Sequence, residues 1–380
     1  MKLEKILQDL EQNHNLRTLT PLKHENKFVY KQNQKLLNLA GNDYLYLASS
    51  KELKAEFLNT LKEQNLFFSS SSSRSLSGNF EIYEELESFL KTKFKDKEIL
   101  HFNSGYHLNI SCIAALSSVS KTLFLADKLI HASMIDGLRL GGADFFRFHH
   151  KDMNHLESLI QKHYDKYENI IVLSEALFSM DGDFSDFKTL CELKRRYDKI
   201  KLYIDEAHSV GCFDEEGLGF VKKLTLENEV DFLVFTFGKA LASMGACMIC
   251  DEKYKKFFIN KARAFIYSTA LPPINVAWTQ FIFKKMPYFK KEREKLELLS
   301  TFFKSKLQEK NHTVLGDAYI ICLLLGENKK ALEISQKLQK AGFFAPAIKE
   351  PTVPKNKARI RFSLHAGLNT EELERIIELL

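Results

Sequence analysis

K-L-Y-I-D-E-A-H-S-V-G-C at 201–212, followed by D-F-L-V-F-T-F-G-K at 231–239, decides the fold of this 380-residue chain. Each stretch opens on a short apolar run, 202–204 and 232–235, rich in β-branched or aromatic residues and bounded by polar or Gly positions. That is how a buried parallel strand reads. Asp205 and His208 follow the first run, and Thr236, Gly238 and Lys239 follow the second. In open α/β sheets ligands bind outside the carboxyl ends of the strands, so these groups are expected to converge on one crevice.

A lysine among apolar neighbours can lose its proton and act as a nucleophilic amine. A carboxylate on a buried strand end needs a positive partner. Pyridoxal phosphate meets both needs, with an aldehyde for Lys239 and a pyridinium nitrogen for Asp205. The competing reading is a structural Asp and a surface Lys on an ordinary α/β sheet.

Working outward, strands are expected at 99–102, 122–126 and 170–174, alternating with helical stretches through 98–250. This is the pattern of a mostly parallel, doubly wound α/β sheet. Asn103-Ser104-Gly105-Tyr106-His107 opens a helix after the first of these strands. A Gly turn at a helix N-terminus presents free N–H groups to a phosphate, and Tyr106 could stack on a planar cofactor. The serine run 69–73 reads either as a flexible linker or as a close-fitting loop before a helix with Asn79 as N-cap. The chain is expected to divide into an N-terminal helical segment (1–45), a large cofactor domain (46–285) and a smaller α+β C-terminal domain (286–380). The last helix carries Asn369 and Glu372 at capping-box spacing.

Composition excludes several classes. The net charge of +6 is 55 basic minus 49 acidic residues, spread along the chain, which gives no nucleic-acid footprint. The longest apolar run, 318–325, is far short of the ~20 residues of a membrane span. Glu4 and Asp9 interrupt any signal-peptide pattern, and the six Cys lack framework spacing, so a cytoplasmic protein with reduced thiols is expected. Cys247 and Cys250 imitate a C-x-x-C motif inside a strand, where positions three apart face opposite ways. His149, His150 and His155 lie close together, but no Cys or paired carboxylate joins them at ligand spacing. No metal is expected.

The chain resembles the α-oxoamine synthases over nearly its whole length. The resemblance rests on N-D-Y-L (42–45), S-R-S-L-S-G-N (73–79), N-S-G-Y (103–106), H-A-S (131–133), F-S-M-D-G-D (178–183), D-E-A-H (205–208), T-F-G-K (236–239), I-Y-S-T-A-L-P-P (266–273), P-T-V-P (351–354) and A-R-I-R-F (358–362). It implies a fold type I pyridoxal-phosphate enzyme, homodimeric, that condenses an amino acid with an acyl thioester and releases CO2. Ala347 and Ile348 before P-T-V-P favour the oxononanoate-forming, biotin-pathway branch, whose substrates are L-alanine and a pimeloyl thioester of CoA or acyl carrier protein. A glycine-using relative shares every cofactor residue. The alternative from another class is a non-catalytic, anion-binding α/β protein.

By this resemblance Lys239 carries the cofactor, Asp205 pairs with its ring nitrogen, His208 meets the ring 3-oxygen and His131 stacks on the ring. Ser179 and Thr236 lie near ring and phosphate, with Gly105 and Tyr106 at the cofactor's other end. Arg361, helped by Asn42, takes the amino-acid carboxylate, and Arg17, His131 and Thr352 meet substrate. Two departures stand out: the family usually has Gly within the stretch here occupied by serines 69–73, and Tyr46 replaces the Gly of N-D-Y-L-G-L. Both bear on the acyl channel.

Overall fold

A computed structural model describes residues 3–13 and 15–380. The chain forms two compact units, one of Lys51–Ser179 and Phe184–Lys290, the other of Met1–Ser50, Met180–Asp183 and Lys291–Leu380. The strands in chain order are β1 (Lys23–Glu25), β2 (Phe28–Lys31), β3 (Gln34–Asn38), β4 (Glu98–Phe102), β5 (Thr122–Asp127), β6 (Asp144–Phe148), β7 (Asn169–Glu175), β8 (Ile200–Asp205), β9 (Phe232–Thr236), β10 (Ala246–Cys250), β11 (Val314–Leu315), β12 (Ile320–Gly326), β13 (Phe343–Phe344), β14 (Ala347–Ile348) and β15 (Ala358–Ser363).

The larger unit is built on one seven-stranded sheet in the order β4-β10-β9-β8-β7-β5-β6. All neighbours from β9 to β6 pair in parallel, and β10 alone runs against both of its neighbours. The inner strands β5, β7, β8, β9 and β10 are buried along nearly their whole length and mostly apolar, as covered strands are, while the edge strand β6 exposes Asp144, Phe146 and Arg147. On one face Leu100, Phe124, Leu173, Tyr203, Phe232 and Val234 pack with Leu108, Cys112, Met134 and Leu138 of two helices, Gly105–Ser117 and Ala132–Leu140. Burying a side chain such as Phe232 or Leu173 contributes ~1.5–3 kcal/mol. This layer fixes the strand ends, and so fixes whatever they carry.

Five of the seven strands lead into a candidate group. β7 ends on Glu175, β8 on Asp205 and β9 on Thr236, while β4 leads into the Ser104–Gly105 turn and β5 into the segment bearing His131. Ser104 caps the helix that follows β4, its Oγ accepting from the His107 N–H at 3.2 Å.

The serine run is a fitted loop. Ser70 Oγ donates to the Ala270 carbonyl at 2.8 Å, the Ala270 N–H donates to the Ser72 carbonyl at 2.9 Å, and a Cβ on Gly78 would meet that same carbonyl at 2.3 Å. The linker reading therefore gives way. Asn79 is not the N-cap of the next helix, Glu81–Lys91; Phe80 holds that position, and Asn79 Oδ1 instead accepts from Arg74 Nε at 2.7 Å. A guanidinium donor outcompetes the helix N–H groups for this acceptor.

In the second unit β11, β12, β15 and β14 form an antiparallel sheet, and the last helix, Thr370–Leu379, is closed by the expected capping box of Asn369 and Glu372. The N-terminal segment differs from expectation. Its described residues include the helix Leu3–Gln12, but residues 23–38 form a β1-β2-β3 meander to which β13 adds in parallel. It is thus part of this unit and not a helical body of its own. The apolar pair Leu36 and Leu37 is the cause: both are buried, and Phe343 stands beside Leu37. The Met180–Asp183 segment is bound to the same unit, with Arg359 Nη1 donating to the Met180 carbonyl at 2.8 Å and pairing with the Asp181 carboxylate.

Tyr46, at the position where the family resemblance places Gly, has φ +61. That left-handed conformation costs a side-chain-bearing residue ~1–2 kcal/mol. Its ring stacks on His365 at 5.3 Å, which offsets part of the cost. No helix among the described residues is long and apolar enough to cross a membrane.

Candidate active site

The larger unit brings the cofactor candidates together. Lys239 Nζ lies 2.7 Å from His208 Nε2, and the His208 side chain is buried. Asp205 is 5% exposed and receives two donors, the Asn109 Nδ2–H at 2.8 Å and the Ala207 N–H at 2.9 Å. The Asn109 amide also donates to Ser133 Oγ at 3.0 Å, and its carbonyl accepts from the Tyr203 hydroxyl at 2.7 Å. Ser133 Oγ in turn sits 2.8 Å from His131 Nδ1. A buried chain of polar groups therefore runs from Tyr203 through Asn109 to both Asp205 and His131. Fully satisfied networks of this kind hold their members in one geometry.

The His131 ring is open to solvent on one side. Its surroundings still lower its pKa, first by partial desolvation, with Lys239 acting the same way and Asp205 and Asp136 opposing. A neutral imidazole near neutrality can both accept and donate a proton. Tyr106 is exposed, and its hydroxyl donates to Asp136 at 2.6 Å. Ser179 is buried next to the boundary with the Met180–Asp183 segment.

Gly105 is required by contact. A Cβ there would lie 2.4 Å from Thr236 Cγ2. The turn at the end of β4 thus passes against the end of β9. Gly105→Ala should push the two apart. Overpacking of this size costs ~1–3 kcal/mol, so the dissociation constant for pyridoxal phosphate should rise by roughly 5- to 150-fold in equilibrium dialysis. An unchanged constant in a folded variant would separate this turn from the cofactor.

A second group lies in the other unit. Arg361, 8% exposed on β15, donates to Ser363 Oγ and, at 3.3 Å each, to Asn42 Oδ1 and the Tyr44 hydroxyl. Asn42 is the helper that the resemblance implies; Tyr44 and Ser363 were not anticipated. Arg17 and Thr352, 335 residues apart in sequence, meet through a 2.9 Å bond from Arg17 Nη2 to Thr352 Oγ1.

The motifs set aside behave as ordinary structure. His149 Nδ1 is 2.8 Å from Lys128 Nζ, His150 Nδ1 is 2.9 Å from Asp127, and His155 Nδ1 accepts from the His149 N–H. Cys247 and Cys250 are buried along β10 as free thiols.

Two further residues were passed over in the sequence. Asn109 sits on an otherwise apolar helix face, and Glu175 reads as a strand-end acid. The signal that could have found Glu175 is its equivalence to Asp205, since both end buried apolar runs on strands that lie side by side.

Residues 34–380 match the family model "aminotransferase class I and II". The 8-amino-7-oxononanoate synthase of Haemophilus ducreyi is 47% identical over 371 residues, 96% of each chain. A crystal structure of 8-amino-7-oxononanoate synthase from Francisella tularensis superposes with a TM-score of 0.74 at 25% identity, covering 90% of this chain and 96% of that one. A serine palmitoyltransferase from S. paucimobilis, solved with pyridoxal phosphate, shares the fold at TM-score 0.89 and 22% identity, over 99% of this chain and 95% of the other.

The residues present fit that cofactor. Thr236 Oγ1 is buried without a hydrogen-bond partner, the Gly105 turn offers N–H donors, and an amine, an imidazole and a carboxylate stand at neighbouring strand ends. The chain belongs to the aminotransferase class I and II family and groups within it with the 8-amino-7-oxononanoate synthases, as a pyridoxal-phosphate-dependent enzyme of the acyl-transferring kind.

Proposed function

We propose that the chain condenses L-alanine with a pimeloyl thioester, giving 8-amino-7-oxononanoate, CO2 and the free thiol carrier, a step toward biotin. The observation that carries this reading is the 47% identity to the Haemophilus ducreyi synthase over 96% of both chains. Bound pyridoxal phosphate would supply an electron sink for the negative charge that develops at the alanine Cα. Lys239 would hold the cofactor covalently and, once displaced by alanine, take the Cα proton on Nζ. Asp205 would keep a proton on the ring nitrogen facing it. His208 would orient the lysine and the ring 3-oxygen. His131 would stack on the ring and donate a proton to the acyl carbonyl oxygen. Ser179, Thr236, Gly105 and Tyr106 would bind the cofactor's periphery and phosphate, and Arg17 and Thr352 would meet the acyl substrate. We propose a homodimer, which sedimentation tests directly.

Arg361 is proposed to take the alanine carboxylate, with Asn42 holding its guanidinium. Its planar fork matches a carboxylate in two parallel hydrogen bonds. Arg361→Lys keeps the charge and loses the fork. Charged hydrogen bonds contribute ~1.5–3 kcal/mol, so KM for alanine should rise by ~10- to 100-fold while KM for the thioester and the melting temperature barely move. A structural bridge would instead lower the melting temperature and shift both KM values together.

The reading as a whole is tested by pairing amino acids with acyl thioesters, on CoA and on acyl carrier protein, and measuring thiol release. Alanine with the pimeloyl thioester should give the highest kcat/KM. Preference for glycine with acetyl-CoA would replace this assignment with the glycine-using relative.

A further inference from the structure

Glu175 closes β7 directly beside Asp205 at the end of β8, the two being paired in the parallel register. Residues paired this way in neighbouring strands point to the same face of the sheet. Both carboxyl groups are buried, with Glu175 only 3% exposed. Two anions so placed repel strongly, and one proton between them relieves the repulsion.

An unpartnered oxygen on Glu175 decides which carboxyl keeps that proton. Asp205 takes two N–H donors from Asn109 and Ala207. Glu175 is approached by the backbone N–H groups of His131 and Ser179, but its Oε1 is buried with no hydrogen-bond partner. A bare anionic oxygen in that position would be costly. The charged groups facing Glu175 are Asp205 from β8 and Lys239 from the turn after β9, while His131 approaches it through its backbone N–H. Burial first, and then the Asp205 charge, push the Glu175 carboxyl up to about 8, against the opposing effect of Lys239 and the two N–H groups.

We propose that Glu175 is a positioning residue that works as a neutral carboxylic acid. It joins the two backbone segments presenting His131 and Ser179, and it leaves Asp205 as the single negative charge at the cofactor ring. The second half rests on the reading of Asp205 as partner of the ring nitrogen.

Three variants test this, Glu175→Gln, Glu175→Leu and Asp205→Asn, each measured as the protein stripped of cofactor and again after reloading with pyridoxal phosphate. In the stripped protein near neutral pH, the infrared band of a protonated carboxylic acid should appear in the wild-type minus Glu175→Gln difference. After reloading, Glu175→Gln should leave the pH midpoint of the bound cofactor's absorbance unmoved and hold the cofactor within ~3-fold of wild type, because the amide replaces a neutral group of the same shape. Glu175→Leu should weaken cofactor binding by ~10-fold or more, because the N–H groups of His131 and Ser179 lose their acceptor.

A missing acid band, a midpoint displaced by more than about one pH unit in Glu175→Gln, or Glu175→Leu binding the cofactor as wild type does would each overturn the proposal. If Asp205 is not the ring partner, the signature differs: Asp205→Asn leaves the midpoint where it was, while the infrared band and the Glu175→Leu weakening persist.

Discussion

Lys239→Ala protein is expected to bind pyridoxal phosphate only reversibly and to show no measurable turnover. The amine follows β9 and stands 2.7 Å from the buried His208 imidazole. On the proposed reading it has two roles, covalent attachment of the cofactor and removal of the alanine Cα proton, and alanine at this position supplies neither. One positioned acid–base group contributes ~10²–10⁴-fold, and the loss here should reach at least the upper end of that range. Borohydride reduction of the wild type followed by peptide mass spectrometry should place the cofactor on Lys239. The variant should release all of its cofactor on dialysis. A cofactor mass on another lysine would move the site.

Asp205→Asn should give the next largest effect. The carboxylate is buried and fixed from two sides, by Asn109 and by Ala207. An amide of the same shape keeps the packing but removes the charge. Breaking a buried charge pair costs ~3–5 kcal/mol, equivalent to ~10²–10³-fold in rate or somewhat more. The variant should fold and still carry cofactor, with the absorbance of the bound cofactor altered, which separates an electronic role from a purely structural one. Turnover near the wild-type rate in a cofactor-loaded variant would remove Asp205 from the mechanism.

Much of this arrangement is readable before any coordinates. The runs at 202–204 and 232–235 lie within β8 and β9, and the polar residues after them come out at neighbouring strand ends, as the general rule for open α/β sheets requires. What the chain conceals is of three kinds. Asn109 lies 96 residues from Asp205, on a helix whose neighbours are apolar, and nothing local marks it as the residue that reaches the carboxylate. β1 to β3 are three to five residues long, and the partner of β3 is the two-residue β13 about 300 positions later. A local pattern carries too little information for such pairings. Asn79 has the right residue type for an N-cap, but Arg74, five residues earlier, takes its oxygen.

The path of the backbone has a practical consequence. The chain passes from one unit to the other at four places, after residues 50, 179, 183 and 290. Neither unit is therefore a continuous stretch, and neither can be excised by choosing two ends. A fragment ending near residue 290 would keep every cofactor residue named above yet leave Met180–Asp183 without Arg359, its guanidinium anchor. Ser179 is the last residue before that orphaned stretch. Truncation or gene-splitting work on this enzyme should keep residues 1–50 and 291–380 on the same molecule as the residues between them. A C-terminal part grafted from a relative would need an arginine at the place of Arg359 to meet Asp181.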